Sequence, residues 1–219
     1  MKKVISFLKE LRNNNEREWF NTHKDKYQAA MAEFEQFVSL LIAEIGEFDP
    51  DIKNITPKDC IFRIYNDVRF AKNKPPYKEH FGAWIIAGGK KVDNTKAGYY
   101  IHIEPGASFV GGGMYHPQPP QLQKIRKYIE HNAKELKTIL NNKEFKKYYP
   151  GMWDEDKLSR PPAGFDKDHP DIELIKYKSY VVMHMIPDAV ITSNDLLDAM
   201  TKACKAQQPF NDFLNEAVG

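Results

Sequence analysis

The sequence predicts a single α+β domain, residues 1–219, with helices packed on one face of an antiparallel sheet of about five strands. Three observations lead to this prediction. Apolar residues in both end regions recur with the 3.6-residue period of a helix. Those in the middle region alternate with the period of two that is typical of strands. The links between the later strands are short, whereas a parallel crossover needs about a dozen residues or more.

The first elements are helical. The apolar stripe of a first helix extends from Val4 to Leu11. A second long helix, or two helices in near-continuation, follows and ends at Gly46, and Asn15 with Glu18 has the spacing of a capping box at its start. We therefore expect a helical layer to form before the chain enters the sheet.

The middle of the chain predicts the sheet, and further helices follow it. A glycine triplet, residues 111–113, lacks the Lys-Ser/Thr of a phosphate-binding loop, so we expect it to allow a bulge or a close backbone approach. A helix begins at Pro119 and is interrupted at Asn141, and another begins near Ser193. The predicted strands lie near 60–65, 82–87, 98–104, 108–114 and 179–185.

Composition excludes several classes of protein. Apolar residues make up 42% of the chain and charged residues 28%, which excludes a disordered chain and a membrane protein. The net charge is +2, which excludes a histone-like polyanion binder but allows a local basic patch. Two cysteines are too few for a disulfide framework. The N-terminus lacks the cleavage site of a signal peptide, so we expect a cytoplasmic protein with no membrane partner.

Alternation assigns the strand side chains to two faces. One face should lie under the helices: Phe62, Ile64, Tyr99, Ile101, Ile103, Val181, Met183 and Met185. The other carries Arg63, Tyr65, Tyr100, His102, Glu104, Tyr180, Val182 and His184. Because tyrosine, histidine and arginine bind, stack and exchange protons, we expect this polar face to form a ligand groove. A mutually satisfied network under covering loops would account for the same residues.

The stretch 63–80 holds the densest set of charges. Its acids are Asp67 and Glu79. Its cations are Arg63, Arg69, Lys72, Lys74 and Lys78. Arginines bind carboxylate or phosphate through paired hydrogen bonds, and an intervening aspartate could orient one guanidinium. The alternative is a solvated loop with a structural Arg–Asp pair.

Motifs along nearly the whole chain are similar to the signature of one family. The central motif is Arg63-x-x-Asn66-Asp67-x-Arg69-Phe70-x-x-Asn73-Lys74-x-Pro76-Tyr77-Lys78. Further stretches that fit are Asn13-Asn14-Asn15 before Trp19-Phe20, residues 98–106, Gly111–Gly113 and residues 161–166. Together they resemble a bacterial group of conserved proteins, domain-of-unknown-function family 2461. The resemblance implies a single domain of about this length and supplies no mechanism.

The first functional hypothesis is an enzyme or sensor for a small ligand that carries phosphate or carboxylate. The predicted catalytic residues are His102, His184 and Glu104, with a histidine as the proton carrier. The predicted ligand-binding residues are Arg63, Tyr65, Asp67, Arg69, Lys74, Tyr77, Tyr100 and Tyr180. The near-neutral net charge and the acidic C-terminal region favour this hypothesis.

The second hypothesis is a module that binds nucleic acid or a protein partner. Its basic loop would contact phosphates while Tyr65, Tyr100 and Tyr180 stack bases. A closed pocket favours the first hypothesis, and a flat exposed sheet favours the second.

Two histidines and a carboxylate on one face also match the residue types of a metal site. His102, Glu104 and His184 would be the ligands. Because a hydrogen-bonded histidine is the commoner finding on a sheet, no metal ligand is assigned. No motif identifies a cofactor, and the oligomeric state is not predicted.

Overall fold

The computed structural model describes residues 1–67, 74–91 and 95–219, and it has the predicted α+β architecture. The strands are β1 (Phe81–Ile85), β2 (Gly98–Ile103), β3 (Phe109–Met114) and β4 (Tyr180–Met185). Each pairs antiparallel with the next, so the order across the sheet is β1-β2-β3-β4. Arg69 and Lys72 of the predicted basic cluster lie outside the described residues.

The helices before the sheet are α1 (Lys2–Asn13), α2 (Arg17–Thr22), α3 (Lys24–Gly46) and α4 (Pro57–Cys60), with a 3₁₀ turn at Pro50–Ile52. The later helices are α5 (Pro119–Asn141), α6 (Lys143–Tyr148), α7 (Ile172–Ile175), α8 (Asp188–Ile191) and α9 (Leu196–Val218). Among the described residues, no helix is both long and apolar enough to cross a membrane.

The core forms between the helices and one face of the sheet. α9 packs on β3, α3 contacts β1, and α5 packs against α9. From β2, the odd-numbered residues Tyr99, Ile101 and Ile103 enter this core with no exposed surface. The predicted burial of these three residues is therefore confirmed.

The first predicted strand, 60–65, is not part of the sheet, which has four strands instead of five. Thr56 caps α4: its backbone N–H and its hydroxyl both donate to the Asp59 carboxylate, and Pro57 occupies the first helical position. Cys60 is the last residue of this helical turn and therefore does not begin a strand. The extended residues that follow make only isolated bridges, from Ile61 to Ala83 in β1 and from Tyr65 to Tyr77.

The predicted orientation of β4 is wrong. Tyr180 and Val182 are buried in the helical core, at 0% and 2% exposure, whereas Met185 is 52% exposed. The pairing explains the reversal, since Tyr99 lies opposite Gly112 and Gly112 lies opposite Val182. Val182 therefore shares the Tyr99 face. Three successive glycines in β3 carry no side chains. The sequence of β3 therefore does not show which residues of β4 lie on the same face as Tyr99.

The predicted capping box at Asn15 is also wrong. Helix α2 begins at Arg17 after Glu16, and no side chain caps it. Instead, the Asn15 side chain accepts a hydrogen bond from the Tyr77 N–H (3.1 Å) and donates one to the Tyr77 carbonyl (3.0 Å). A tertiary contact thus uses the groups that a local cap would have needed.

Substitution of the two neighbouring valines of β4 tests its orientation. Val182→Ala should lower the free energy of unfolding by about 1.5–3 kcal/mol, because two methyl groups leave a closed core. Val181→Ala should cost less than about 1 kcal/mol, because its side chain is on the other face and is only partly buried. Equilibrium urea denaturation of both variants gives the comparison, and an equal or reversed order would contradict the register.

Gly111→Ala tests the close approach of β3 and β4. A Cβ at this position would overlap the Val182 carbonyl oxygen, so the backbone of one strand would have to move. We expect a loss of about 3 kcal/mol or more in denaturant unfolding. Gly151→Ala is the matched control, since a Cβ there meets no atom within 4 Å, and it should change stability by less than about 0.5 kcal/mol. Similar losses in the two variants would refute this explanation.

Candidate functional site

A cavity of about 520 Å³ lies on the sheet face opposite the helical core. Its polar lining side chains are Lys78, His80 and His102. Most of the rest of the wall is aromatic or apolar: Phe62, Trp84, Tyr100, Phe109, Tyr115, Trp153, Val181, Val182 and Met183, with backbone from Gly112 and Gly113. The face that the sequence predicts to be a polar groove is thus a largely aromatic pocket with a few polar groups.

The Tyr100 ring packs beside glycine positions of the two neighbouring strands. Across β1 and β2, Trp84 lies opposite Tyr100 and Gly82 lies opposite His102. A Cβ on Gly82 would be 2.7 Å from the Tyr100 hydroxyl oxygen. On the other side of Tyr100, the paired residue of β3 is Gly111. The Tyr100 ring therefore occupies the place that a side chain at position 82 would take, and it lines the cavity from there.

Two short segments along the outer strands form the side walls. The Phe62 N–H donates to the Gly82 carbonyl (2.9 Å), which holds the Phe62 ring 6.3 Å from that of Tyr100. At the other edge, the Trp153 N–H donates to the Val181 carbonyl (2.9 Å), and Trp153 contacts Tyr115. Each wall is thus attached to the sheet through backbone hydrogen bonds.

His102 is held between two rings and two polar partners. Its ring stacks on Phe109 at 4.7 Å between centroids and contacts His80 at 4.2 Å on another side. Nε2 lies 2.8 Å from Glu104 Oε2, and Nδ1 lies 3.4 Å from the Tyr100 hydroxyl. Because an ionised carboxylate only accepts, Nε2 carries the proton and Nδ1 accepts from Tyr100.

Arg12 orients the carboxylate of Glu104 from a distant part of the chain. Its Nη2 lies 2.8 Å from Glu104 Oε1, its Nε lies 3.0 Å from Glu79 Oε2, and Nη1 donates to the Pro105 carbonyl. Helix α1 therefore contributes Arg12 to a series of hydrogen-bonded side chains, which continues through Glu104 and His102 to Tyr100.

Burial sets the charge state of these groups. The pKa of His80 is lowered to about 4, by burial first and then by His102 and Lys78, against the opposing effect of Glu104. Burial also lowers the pKa of His102, against the opposing effect of Glu104. The pKa of Tyr100 rises to about 12, again through burial first. Near neutral pH the cavity therefore presents two neutral imidazoles and a protonated hydroxyl.

Lys78 supplies positive charge to the same cavity. Burial lowers its pKa, and the nearby charges of Arg63 and Lys74 lower it further. Among acids in the described parts of the chain, no ion pair reaches the side chain of Lys78, Arg63 or Lys74. Three cations thus lie close to one another near the cavity.

His80, His102 and Glu104 form a cluster with the composition of a metal site. One ligand atom from each of these residues can be chosen so that all three lie within 4.8 Å of one another. The three residues whose types match a metal site in the sequence were His102, Glu104 and His184, so His80 takes the place of His184. His184 lies on the helical side of the sheet, where its Nδ1 donates to the Tyr148 carbonyl (3.0 Å).

Several predicted site residues lie away from the cavity. The Tyr180 hydroxyl donates to the Leu174 carbonyl within the core. Tyr77 is buried and stacks on Phe20 at 4.0 Å, with the half-exposed Tyr65 beside both rings. The expectation that Tyr180 and His184 share a face with His102 is wrong, because β4 has the opposite phase.

The structure describes only some residues of the predicted basic cluster. Arg63, Asp67 and Lys74 are exposed, and the interaction of Arg63 and Lys74 with Lys78 connects these cations to the cavity. Arg69 lies outside the described residues, so its predicted role stays a prediction. Tyr100, His102 and Glu104 are the predicted site residues that the structure brings together.

Sequence reasoning did not assign His80, Trp84 or Arg12 to the site. A signal for the first two was present, since His80, Gly82 and Trp84 continue the period of two along one face of β1. No local pattern could have found Arg12, because its contact with Glu104 spans 92 residues.

Comparison with known proteins identifies the family. The family model described as conserved hypothetical protein DUF2461 matches residues 3–213. No curated protein and no solved structure matched the chain. Since the match covers nearly the whole chain, the protein is a member of the DUF2461 family.

Proposed function

We propose that the chain binds a small molecule with a planar apolar body and one phosphate or carboxylate group. The observation that carries this proposal is the aromatic cavity with Lys78 in its wall, where the ammonium lies 5.7 Å from the centre of the Phe62 ring. A volume of about 520 Å³ falls within the range of about 300–1,000 Å³ typical of small-molecule sites.

The aromatic wall favours a planar ligand body. Trp84, Tyr100 and Trp153 present ring surface to one space, and aromatic pairs gain about 0.5–1.5 kcal/mol beyond the area they bury. The cavity of about 520 Å³ beside these rings gives a planar group room to stack.

The charge distribution favours an anionic head group. Lys78 is half-buried and has Arg63 and Lys74 as its charged neighbours, so an anion there would relieve the repulsion among the three. Lys78 also acts electrostatically on His80, which supports a position for the anionic group at the histidine end of the cavity.

The same end contains groups able to transfer protons. Glu104 orients the His102 ring, an arrangement that general acid–base catalysis uses, and the Tyr100 hydroxyl is hydrogen-bonded to it. We assign His102, Glu104 and Tyr100 as the candidates for conversion of a bound ligand.

The nucleic-acid hypothesis requires three tyrosines on one stacking surface, and they do not form one. Of the three tyrosines that it requires, Tyr180 is buried in the helical core and Tyr65 packs against Phe20. Only Tyr100 faces the cavity. We therefore propose the small-ligand function and retain nucleic acid as a comparison in its test.

Lys78→Met tests the anion site. We expect aryl carboxylates and aryl phosphates, screened by thermal shift and measured by ligand-detected NMR, to bind the wild type more tightly than their neutral amides. The variant should bind the anions about 10–100-fold more weakly, because one charge-assisted contact is lost, and should no longer prefer them to the amides.

Lys134→Met is the matched control, since this exposed lysine lies on α5 and does not line the cavity. It should bind the anions like the wild type. Equal binding by Lys78→Met, failure of every anion in the screen, or salt-dependent binding of a single-stranded oligonucleotide in place of the anions would refute the proposal.

A further inference from the structure

We propose that His80, His102 and Glu104 bind one divalent first-row transition-metal ion, with Zn²⁺ as the best match, at the polar end of the cavity. The juxtaposition of these three side chains comes from two neighbouring strands. His80 directly precedes β1, and the two other ligands lie on successive same-face positions of β2 and its end.

The geometry is close to that of a coordination sphere. Two ligand atoms at about 2.1 Å from one ion are about 3.0–3.5 Å apart at angles near 90–109°. His102 Nε2 and Glu104 Oε2 already lie 2.8 Å apart, and all three ligand atoms lie within 4.8 Å of one another. Closure on one ion therefore requires a side-chain movement of about 1–2 Å.

Partners that orient metal ligands are already present. Glu104 Oε1 is held by Arg12 Nη2 at 2.8 Å, so Oε2, which faces His102 Nε2, is the oxygen that would coordinate the ion. When the ion takes the place of the Nε2 proton, that proton moves to Nδ1 and faces the Tyr100 hydroxyl oxygen, 3.4 Å away. Such contacts fix the ring orientation and the tautomer of ligating histidines.

The ligand types select the class of ion. Two imidazoles suit Zn²⁺ and Fe²⁺, whereas Mg²⁺ and Ca²⁺ prefer sites made entirely of oxygen atoms. Both histidines are part of the cavity wall, so three protein ligands would leave a coordination position open towards the cavity.

This open position gives the metal a role, which rests on the proposed small-ligand function. The anionic head group would coordinate the ion and contact Lys78 at the same time. In the metal-bound state, polarisation of that group by the ion replaces proton transfer at His102 Nε2.

The test is calorimetric titration of untagged, EDTA-treated protein with ZnCl₂. We expect one ion per chain, with affinity reduced at least tenfold in His80→Asn and in Glu104→Gln. Mg²⁺ should not compete. Bound Co²⁺ should show a visible spectrum unlike that of the aqueous ion, and one equivalent of Zn²⁺ should abolish it.

His184→Asn is the control that separates the two histidine sets, because His184 lies on the opposite face of the sheet. It should bind Zn²⁺ like the wild type, as should His131→Asn, which changes an exposed histidine on α5. Unchanged affinity in both His80→Asn and Glu104→Gln, absence of one-to-one binding, or equal binding of Mg²⁺ would overturn the metal site.

The Co²⁺ spectrum and the wild-type stoichiometry decide the matter even where a variant fails to fold. The metal titration contains no organic ligand, so its result is independent of the anion screen. Zn²⁺ binding without binding of any anion would support the metal site and refute the proposed function. Anion binding that needs Lys78 but is unaffected by Zn²⁺ would refute only the role of the metal in ligand binding.

Discussion

The absence of side chains along the middle of β3 is the constraint on which the rest of the structure depends. On the helical side, a Cβ at Gly112 would be 2.6 Å from Gln207 Nε2, and one at Gly113 would be 3.0 Å from the Phe210 ring. Helix α9 therefore packs directly on the backbone of the sheet. The same run borders the cavity, because Gly112 and Gly113 contribute to its wall, and a Cβ at Gly111 would overlap the Val182 carbonyl oxygen of β4. One run of three glycines thus lies between the helical core and the pocket.

The alternation in β2 and the helical periods predicted much of the fold, because each is a local pattern with one strong phase. The same reasoning failed for β4, where apolar residues occur on both faces: Val181 and Met183 line the cavity while Val182 enters the core. The strand predicted at 60–65 failed because the cap formed by Thr56 and Asp59 turns the chain into a helix first.

The site was predicted where its residues belong to one strand and missed where they come together from several elements. Tyr100, His102 and Glu104 follow from the alternation of β2 alone. His80 needs the pairing of β1 with β2, and Arg12 needs the position of α1 relative to the whole sheet. The charges show the same division, since the sequence gives the basic cluster but not the burial that lowers the pKa of Lys78.

The two wall segments of the cavity also cover the outer strands of the sheet in the described part of the chain. Phe62 lies along β1, and Trp153 lies along β4, each through backbone hydrogen bonds. An uncovered outer strand is a template for pairing with another chain. Displacement of either wall segment would therefore open the cavity and would also expose the unpaired backbone N–H and C=O groups of an outer strand. An occupant that holds both wall segments in place would therefore also keep both outer strands covered.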